Sequence, residues 1–564
     1  MANRLREVLP VLIDDSQNAF LKGRLVSDNL LLAHELIEFV RHRTKGKKMF
    51  FGLKLDMNKT YDRVDWNFLI AILRLMGFTE KWIQLIHQCV STVSFSVLLN
   101  GQPSDYFTPK AGLRQGDPLS PYLFIIVMQA LSEGLAHFAH QGICKGIAIS
   151  RHSPPISHLL FADDCFLFMH FKSEEVWFLQ WLLNDFCQQM GLRINVNKSE
   201  LYLSPNFCSR ERLLLESIFH FKVVLHPGVY LGASMDWSGK SKTSLFRALV
   251  DKVARKLQGW KCGLLNFAGR CIMVKHVLQA IPLYLMSVFK VPCAVTYKLT
   301  AIIRRFLWKS DKNYGLCWKK WDSLCVAKLE GGLGFRDLGC FNQALLAKQA
   351  WRLISNLTSL FAKVLLGKYC SAEDLFHVRQ TTTASWGWKS LLWGRELLKT
   401  GLLWRVGNGQ LINPFVDLWI PGQDNPVEEF GLNQYLPSMR VNHWIDSSNL
   451  CWRRNLLRWL FPENVVQSIL GIHIPLISCP DKLVWRLSRN GIYSVKSGYW
   501  AAIRRKFDRV NGNNVINPSI WKKLWKTKIP LRWILFIWRC LHNILLVQWQ
   551  LKRRGLQVDP ICAR

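Results

Sequence analysis

The sequence predicts an α+β or α/β domain at its N-terminal end and a largely helical remainder, and three observations lead there. Within residues 1 to 200 of the 564, apolar positions switch between a spacing of two and a spacing of 3.6, so strands and helices alternate. An Asn-Gly pair at 100 and 101 sits between apolar runs, the strongest short hairpin signal in the chain. Finally, "LLFADDCFLFM" (159 to 169) places two adjacent carboxylates in an apolar run, which only a tight turn between two short strands accommodates without burying charge.

Taken in order, "DNLLLAHELIEFVRHR" reads as an amphipathic helix with Asp28 as its N-cap, and "RHRTKGKKM" (41 to 49) as a solvated, charged loop. "FFGLKLD" (50 to 56) alternates like a strand. From Tyr61 the spacing Tyr61, Val64, Phe68, Leu69, Ile72, Leu73, Met76 predicts a helix. Asp56 therefore stands where a strand ends, the place where α/β sheets tend to keep active-site carboxylates. "SFSVLLNGQPSDYF" (94 to 107) is the hairpin. "GLRQGDPLSPYLFIIVMQALSEGL" opens as a Gly-rich loop and turns helical with Ser120 as N-cap and Pro121 in the first turn. A loop bearing Arg114 and Gln115 at a helix start suits a nucleotide's phosphate or base.

The hairpin at 157 to 171 would then carry Asp163 and Asp164 at its tip. Two like charges about 4 Å apart cost roughly 4 kcal/mol at an effective dielectric near 20, so a cluster of Asp56, Asp163 and Asp164 calls for divalent cations to stay ionised. Oxygen-only ligands favour Mg²⁺ or Mn²⁺.

Lys and Arg number 74 against 39 Asp and Glu, a formal net charge of +35, which with 12% aromatic residues points to RNA or DNA as partner. The 16 cysteines form no CxxC pair, and the first residues lack the apolar stretch of a signal peptide. Reduced thiols and an intracellular location, nuclear or cytoplasmic, are expected. No apolar stretch approaches the ~18 to 20 residues of a membrane span, so no membrane partner is expected.

Residues 241 to 320 hold 16 Lys and Arg against Asp251 and Asp311, with Trp260, Trp308 and Trp318 among them. "FNQALLAKQAWRLISNL" is a helix, "LLWRVGNGQLINPFVDLWIP" two short strands about a Gly-Asn-Gly turn, and "DKLVWRLSRNGIYSVKSGYWAA" (481 to 502) strand, turn, strand and helix. Tryptophans here are expected as packing anchors rather than base-stacking platforms.

In order, "LKLDMNKTYDRVDW", "GLRQGDPLSPYLF", "FADD", "GLRINVNKS" (191 to 199) and "YLG" (230 to 232) resemble the palm motifs of reverse transcriptases of LINE-type non-LTR retrotransposons, the plant group especially. The likeness continues through "LLNFAGRCIMVKHVLQAIPLYLMSVFKVP" and "GGLGFRDLGCFNQALLAKQAWRL" to "IWKKLWKTKIPLRWILFIWRCLHNILL", over essentially the whole chain. It implies a right-hand polymerase: fingers and palm in 1–205, primer grip and thumb in 206–300, a connection of unknown role in 301–480, and in 481–564 the lead of a zinc-binding reverse transcriptase module.

The implied activity is RNA-directed DNA polymerisation with two Mg²⁺ (or Mn²⁺) ions, an RNA template, a DNA primer and a dNTP. By that resemblance Asp56, Asp163 and Asp164 bind metal, Asp164 in a supporting position. Tyr61 gates the ribose 2′-hydroxyl, Gln115 with Gly116 contacts the incoming nucleotide, and Arg114 contacts nearby backbone or phosphate. Lys198 sits near the leaving pyrophosphate as proton donor, and "VYLGASM" grips the primer. Relative to the family pattern the chain starts inside the fingers, has Thr60 and Ala111 at positions commonly Ala and basic, and carries only Cys562 of the zinc module, so no complete zinc site is expected. The alternative is a retrotransposon relic that binds RNA or DNA with weak catalysis or none.

Overall fold

The computed structural model describes residues 1–235, 242–259, 263–309, 317–371, 374–423, 426, 439–446, 448–507, 517–545, 547–553, 555 and 557. Trp260, Asp311 and Cys562 lie outside the described residues. The chain forms two compact units, one of residues 1–245 with 352–389, the other of 246–351 with 390–564.

The first unit is built on a five-stranded sheet in the order β4-β5-β1-β6-β7, with β1 Phe50–Leu55, β4 His158–Phe161, β5 Asp164–His170, β6 Glu200–Leu203 and β7 Lys222–Val224. Neighbours run antiparallel except β6 and β7, which are parallel. Alternation sends Phe51, Leu53, Leu55, Leu167 and Leu201 to one face, where they join the core made with helices α1 (Ala2–Leu12), α4 (Trp66–Leu75), α5 (Glu80–Ser91), α6 (Ser120–His140) and α7 (Ser173–Met190). Each fully buried Leu, Ile or Phe there is worth about 1.5–3 kcal/mol. The opposite face carries Phe50, Lys54, Phe166, Phe168 and Tyr202, and helix α2 (Val26–Arg41) covers part of it, Phe39 meeting Phe50 edge-on at 5.3 Å.

Three local expectations change. Helix α2 begins at Val26, two residues before Asp28, whose carboxylate accepts the Leu25 N–H from inside the first turn. It is also buried nearly all round, from Ser27 to Ile37, rather than on one stripe. The cause is residues 352–389, which lie over it: Arg352 takes Asp28 at 2.5 and 2.6 Å, and Glu35, 1% exposed, accepts from Lys368 Nζ at 2.6 Å, from Tyr369 OH at 2.8 Å and from Ser385 Oγ. Removing one partner would strand a buried charge, a loss of about 3–5 kcal/mol. The helix expected from Tyr61 onward is two, α3 (Thr60–Arg63) and α4, because Asp65 caps α4 by accepting the Phe68 N–H at 2.9 Å.

The third change concerns α6. Its 21 residues are long and apolar enough to cross a membrane, with mean hydropathy 1.4 over an 18-residue window, contrary to the expectation that no stretch approaches that length. Its composition answers to the core, since Leu123 through Met128 are fully buried. The Asn100-Gly101 hairpin forms as expected, both residues at positive φ (50° and 87°) between β2 (Leu98–Leu99) and β3 (Gln102–Pro103).

The second unit is mainly helical, with helices Arg247–Leu257, Phe267–Met273 and Cys293–Leu307 in its basic portion. Trp419, Trp444 and Trp452 pack with Val441, Leu457 and Val466 in a separate core, and Trp388, Trp485, Trp521 and Trp538 are likewise buried elsewhere in the chain, as anchors. Strand Leu402–Arg405 pairs antiparallel with Lys482–Trp485, not with a strand after the Gly-Asn-Gly turn. That turn is held instead by Asp481, whose carboxylate accepts the N–H groups of Gly407, Gly409 and Leu411 at 2.7 to 2.8 Å. The second strand expected after Asn490-Gly491 is likewise replaced, the Trp485 N–H donating back to the Gly491 carbonyl at 2.8 Å.

Candidate active site

Strand β1 stops at Leu55 and Asp56 follows it. Its backbone is fixed from the loop before β6: the Asn195 N–H donates to the Asp56 carbonyl at 2.7 Å, and the Asp56 N–H donates to Ser199 Oγ at 3.1 Å. The register that pairs Leu55 with Cys165 sets Asp56 across from Asp164, the first residue of β5. Phe161 pairs with Asp164, so Ala162 and Asp163 form a two-residue turn, with Ala162 at φ +54°, a conformation an L residue adopts at a cost of about 1–2 kcal/mol. The carboxylates thus gather where β1 ends and the β4–β5 hairpin turns.

Their charge is felt. The Asp164 carboxyl is pushed up to about 6, first by burial and next by the adjacent Asp163 charge; Lys54 opposes this and Asp56 adds to it. Lys54 is itself engaged with Glu200 at 3.6 Å, and Lys198 Nζ, largely in solvent, lies 4.0 Å from Asp56. Among the described residues no group of three or more His, Cys, Asp or Glu side chains is arranged to hold a metal ion by itself. An acidic, oxygen-only and open-sided constellation with under-compensated charge fits a cation that keeps water and substrate phosphate among its ligands, as Mg²⁺ does.

Tyr61 stacks on Phe124 with ring centroids 4.7 Å apart and an interplanar angle of 13°. Burial, and then the Asp163 charge, push its phenol up to about 12, so it stays neutral beside the carboxylates. The loop with Arg114, Gln115 and Gly116 is tied to the same segment, since the Leu113 N–H donates to the Tyr61 carbonyl at 2.6 Å and the Gly112 N–H to that of Val64 at 2.8 Å. Gly112 lies at φ +95° with a would-be Cβ 2.6 Å from the Asp62 carbonyl oxygen, so no larger residue fits. Arg114 and Gln115 line a cleft with Asp62, Phe95, Asp117 and Ser120; Asp56 and Asp163 are not among its walls.

The segment expected to grip the primer is a hairpin, β8 (Val229–Tyr230) and β9 (Ala233–Ser234), turning on Leu231 and Gly232, both at positive φ. Tyr230 packs edge-on against Phe166 of β5 at 5.4 Å, and the Gly228 N–H donates to Glu200 at 2.8 Å, so the hairpin is moored to the carboxylate-bearing face of the sheet.

Sequence reasoning missed two supports. Gln17, 1% exposed, accepts the N–H groups of Ala162 and Ala19 at 3.1 and 3.0 Å and so ties the hairpin turn. Thr60, 5% exposed, donates its hydroxyl to Asp163 at 3.3 Å. Neither belongs to a periodic pattern; only the tertiary fold brings them near. The 14 described cysteines are all free thiols.

A family model described as reverse transcriptase (RNA-dependent DNA polymerase) matches residues 1–235, and one described as zinc-binding in reverse transcriptase matches residues 493–564. A putative ribonuclease H protein of Arabidopsis thaliana is 29% identical over 56% of this chain and 51% of its own length, so the chain spans about half of that relative. An uncharacterized mitochondrial protein of the same plant is 41% identical over 25% of this chain and 94% of its own length. The retrovirus-related Pol polyprotein from type-2 retrotransposable element R2DM of Drosophila melanogaster is 30% identical over 33% of this chain and 16% of its own length. A telomerase structure from Candida albicans aligns with TM-score 0.30 at 13% identity over 66% of this chain and 58% of that one, too low a score to argue from. The chain therefore carries a reverse transcriptase domain over residues 1–235 and the zinc-binding module of reverse transcriptases over 493–564, and its relatives include retrotransposon Pol polyproteins.

Proposed function

We propose that the chain is an RNA-directed DNA polymerase whose centre is formed by Asp56 and Asp163, with Asp164 supporting them. The observation that carries this reading is the position of Asp164: a carboxyl pushed up to about 6 opposite the end of β1, beside two further carboxylates. Such crowding is unfavourable in a protein alone and becomes favourable around divalent cations. Bound there, two Mg²⁺ or Mn²⁺ ions would activate the primer 3′-hydroxyl and stabilise the leaving oxygen.

The other roles follow from placement. Tyr61, held flat against Phe124, acts as a steric wall beside Asp163 against a ribose 2′-hydroxyl. Gln115, Gly116 and Arg114 receive the base and phosphates of the dNTP, and Lys198, near Asp56, is placed to give a proton to departing pyrophosphate. The β8–β9 hairpin grips the primer. Residues 206–300 serve as primer grip and thumb, their cations taking duplex phosphates without reading sequence. The acceptor site is an RNA template annealed to a DNA primer, in the nucleus or cytoplasm.

The test is extension of a DNA primer on an RNA template with Mg²⁺ or Mn²⁺. Asp163→Asn should lower extension by ~10²- to 10³-fold, as removal of a principal charge-stabilising group does. Template binding without extension would establish the alternative, a retroelement relic that binds RNA or DNA.

A further inference from the structure

Helix α7 has a stripe that neither the core nor the polymerase reading uses. Trp177, Phe178 and Trp181 are 56%, 47% and 58% exposed, and they stand at i, i+1 and i+4 on one helix face. Phe138 of α6 closes one side of this apolar groove, its ring 6.3 Å from those of both Phe178 and Trp181. Glu174 lies one turn before the stripe and Asp185 one turn after it. In a chain of net charge +35, the segments 120–140 and 173–190 contain no Lys or Arg at all.

That charge decides the occupant. Exposed rings on a basic surface suit nucleic-acid bases, but rings between carboxylates repel a phosphodiester and call for a basic, apolar partner. The same chain offers one. Helix Leu531–Leu541 buries Ile534, Leu535 and Trp538 and leaves Trp533, Phe536 and Ile537 at 52%, 50% and 38% exposure. Exposed Lys526, Lys528 and Arg532 precede or flank that face, and no Asp or Glu occurs between residues 517 and 557.

We propose that the groove on α7 docks the 531–541 helix of a second copy of this chain, apolar face to apolar face, with Glu174 and Asp185 against the partner's basic flank. The match is of chemistry on both sides: aromatic knobs at helical spacing, with opposite charge at the rim. Size sets the strength. Five half-exposed aromatic rings and one Ile bury on the order of 600–700 Å² between them, below the ~1,200 Å² of a stable interface, so a single contact self-associates weakly, in the micromolar range.

Sedimentation velocity of the full chain, freed of nucleic acid, at about 1 to 100 µM and 0.15 M salt, should show the weight-average mass rising with concentration. Trp177→Ser with Trp181→Ser should weaken association at least tenfold while circular dichroism stays native. Glu174→Lys with Asp185→Lys should do the same, and mixing that variant with Lys528→Glu, Arg532→Glu protein should restore association between the two. A chain monomeric throughout the range, association unchanged in the tryptophan variant, or charge-swapped proteins that fail to associate on mixing would each overturn the proposal. All these readouts are independent of polymerase activity.

Discussion

The strand-end carboxylates of the first unit and the tryptophan core of the second use opposite physics. At Asp56, Asp163 and Asp164 side chains are partly exposed, mutually repelling, and positioned through their backbone, where the Asn195 N–H donates to Asp56 and Ser199 Oγ and the Gln17 side chain accept the N–H groups of Asp56 and Ala162. Around Trp444 the side chains are buried, with Phe461 and Phe415 edge-on at 5.2 and 5.7 Å and Trp419 tilted at 5.9 Å. The first arrangement stores unfavourable charge that a bound cation would relieve; the second stores apolar area whose release would unfold the unit. Aromatic content alone does not separate base-stacking from packing, whereas charge placed at a strand end marks a candidate site.

The sharpest break of this contrast is Trp444→Ala. It should destabilise the second unit by about 3–5 kcal/mol, as truncation of a buried Trp does. Denaturant unfolding followed by tryptophan fluorescence checks it. A loss below 1 kcal/mol, with weakened template affinity instead, would mean that this tryptophan stacks on bases and that the two regions are alike.

A smaller effect sharpens the other side. Because the Asp164 carboxyl is pushed up to about 6 in the folded protein, the folded state holds its proton more tightly than the unfolded chain does. The metal-free protein therefore loses stability as pH rises from about 4 through about 6. The full difference is about 3 kcal/mol, reduced by partial exposure to about 1–2 kcal/mol. Asp164→Asn should be more stable than the parent by that amount at pH 7.5 and no more stable below pH 4, and millimolar Mg²⁺ should narrow the gap. Thermal melts across pH would expose the error as a gap that does not change with pH or Mg²⁺.

The smallest effect belongs to the basic helix Arg247–Leu257, which buries Leu249, Val250 and Val253 and turns Lys252, Arg255 and Lys256 outward. Neutralising those three should reduce the slope of log affinity against log salt for a primed RNA template by up to about 3, since each phosphate contact contributes about 0.7–0.9. An unchanged slope would move the duplex face elsewhere. Lys261, the next cation, lies outside the described residues.

Much of the site was legible in order along the chain, because its chemistry demands particular residue types at strand ends and turns. Asp56 after an alternating strand, Asp163 and Asp164 between two apolar strands, and Asn100-Gly101 at a hairpin all state their geometry locally. What needed the fold was every relation across long sequence separation. Gln17 reaches Ala162, Thr60 reaches Asp163, and Lys198 approaches Asp56 only after β1, β5 and β6 have paired. The Gly-Asn-Gly turn looks like a hairpin because local propensity favours one; Asp481, some seventy residues away, accepts three of its backbone N–H groups and decides otherwise.

By itself, then, the sequence determined the charge, the strand-turn-helix grammar of the palm and the identity of its carboxylates, since these rest on contacts within a few residues. Only the tertiary structure decided that α2 is buried on all sides, because Asp28 and Glu35 find Arg352 and Lys368 more than 300 positions later. It alone also decided which tryptophans are anchors and which, on α7 and on the 531–541 helix, remain in solvent. The physical reason is common to both: burial and charge compensation are properties of neighbours in space, and a residue's pattern along the chain carries no record of a neighbour that distant.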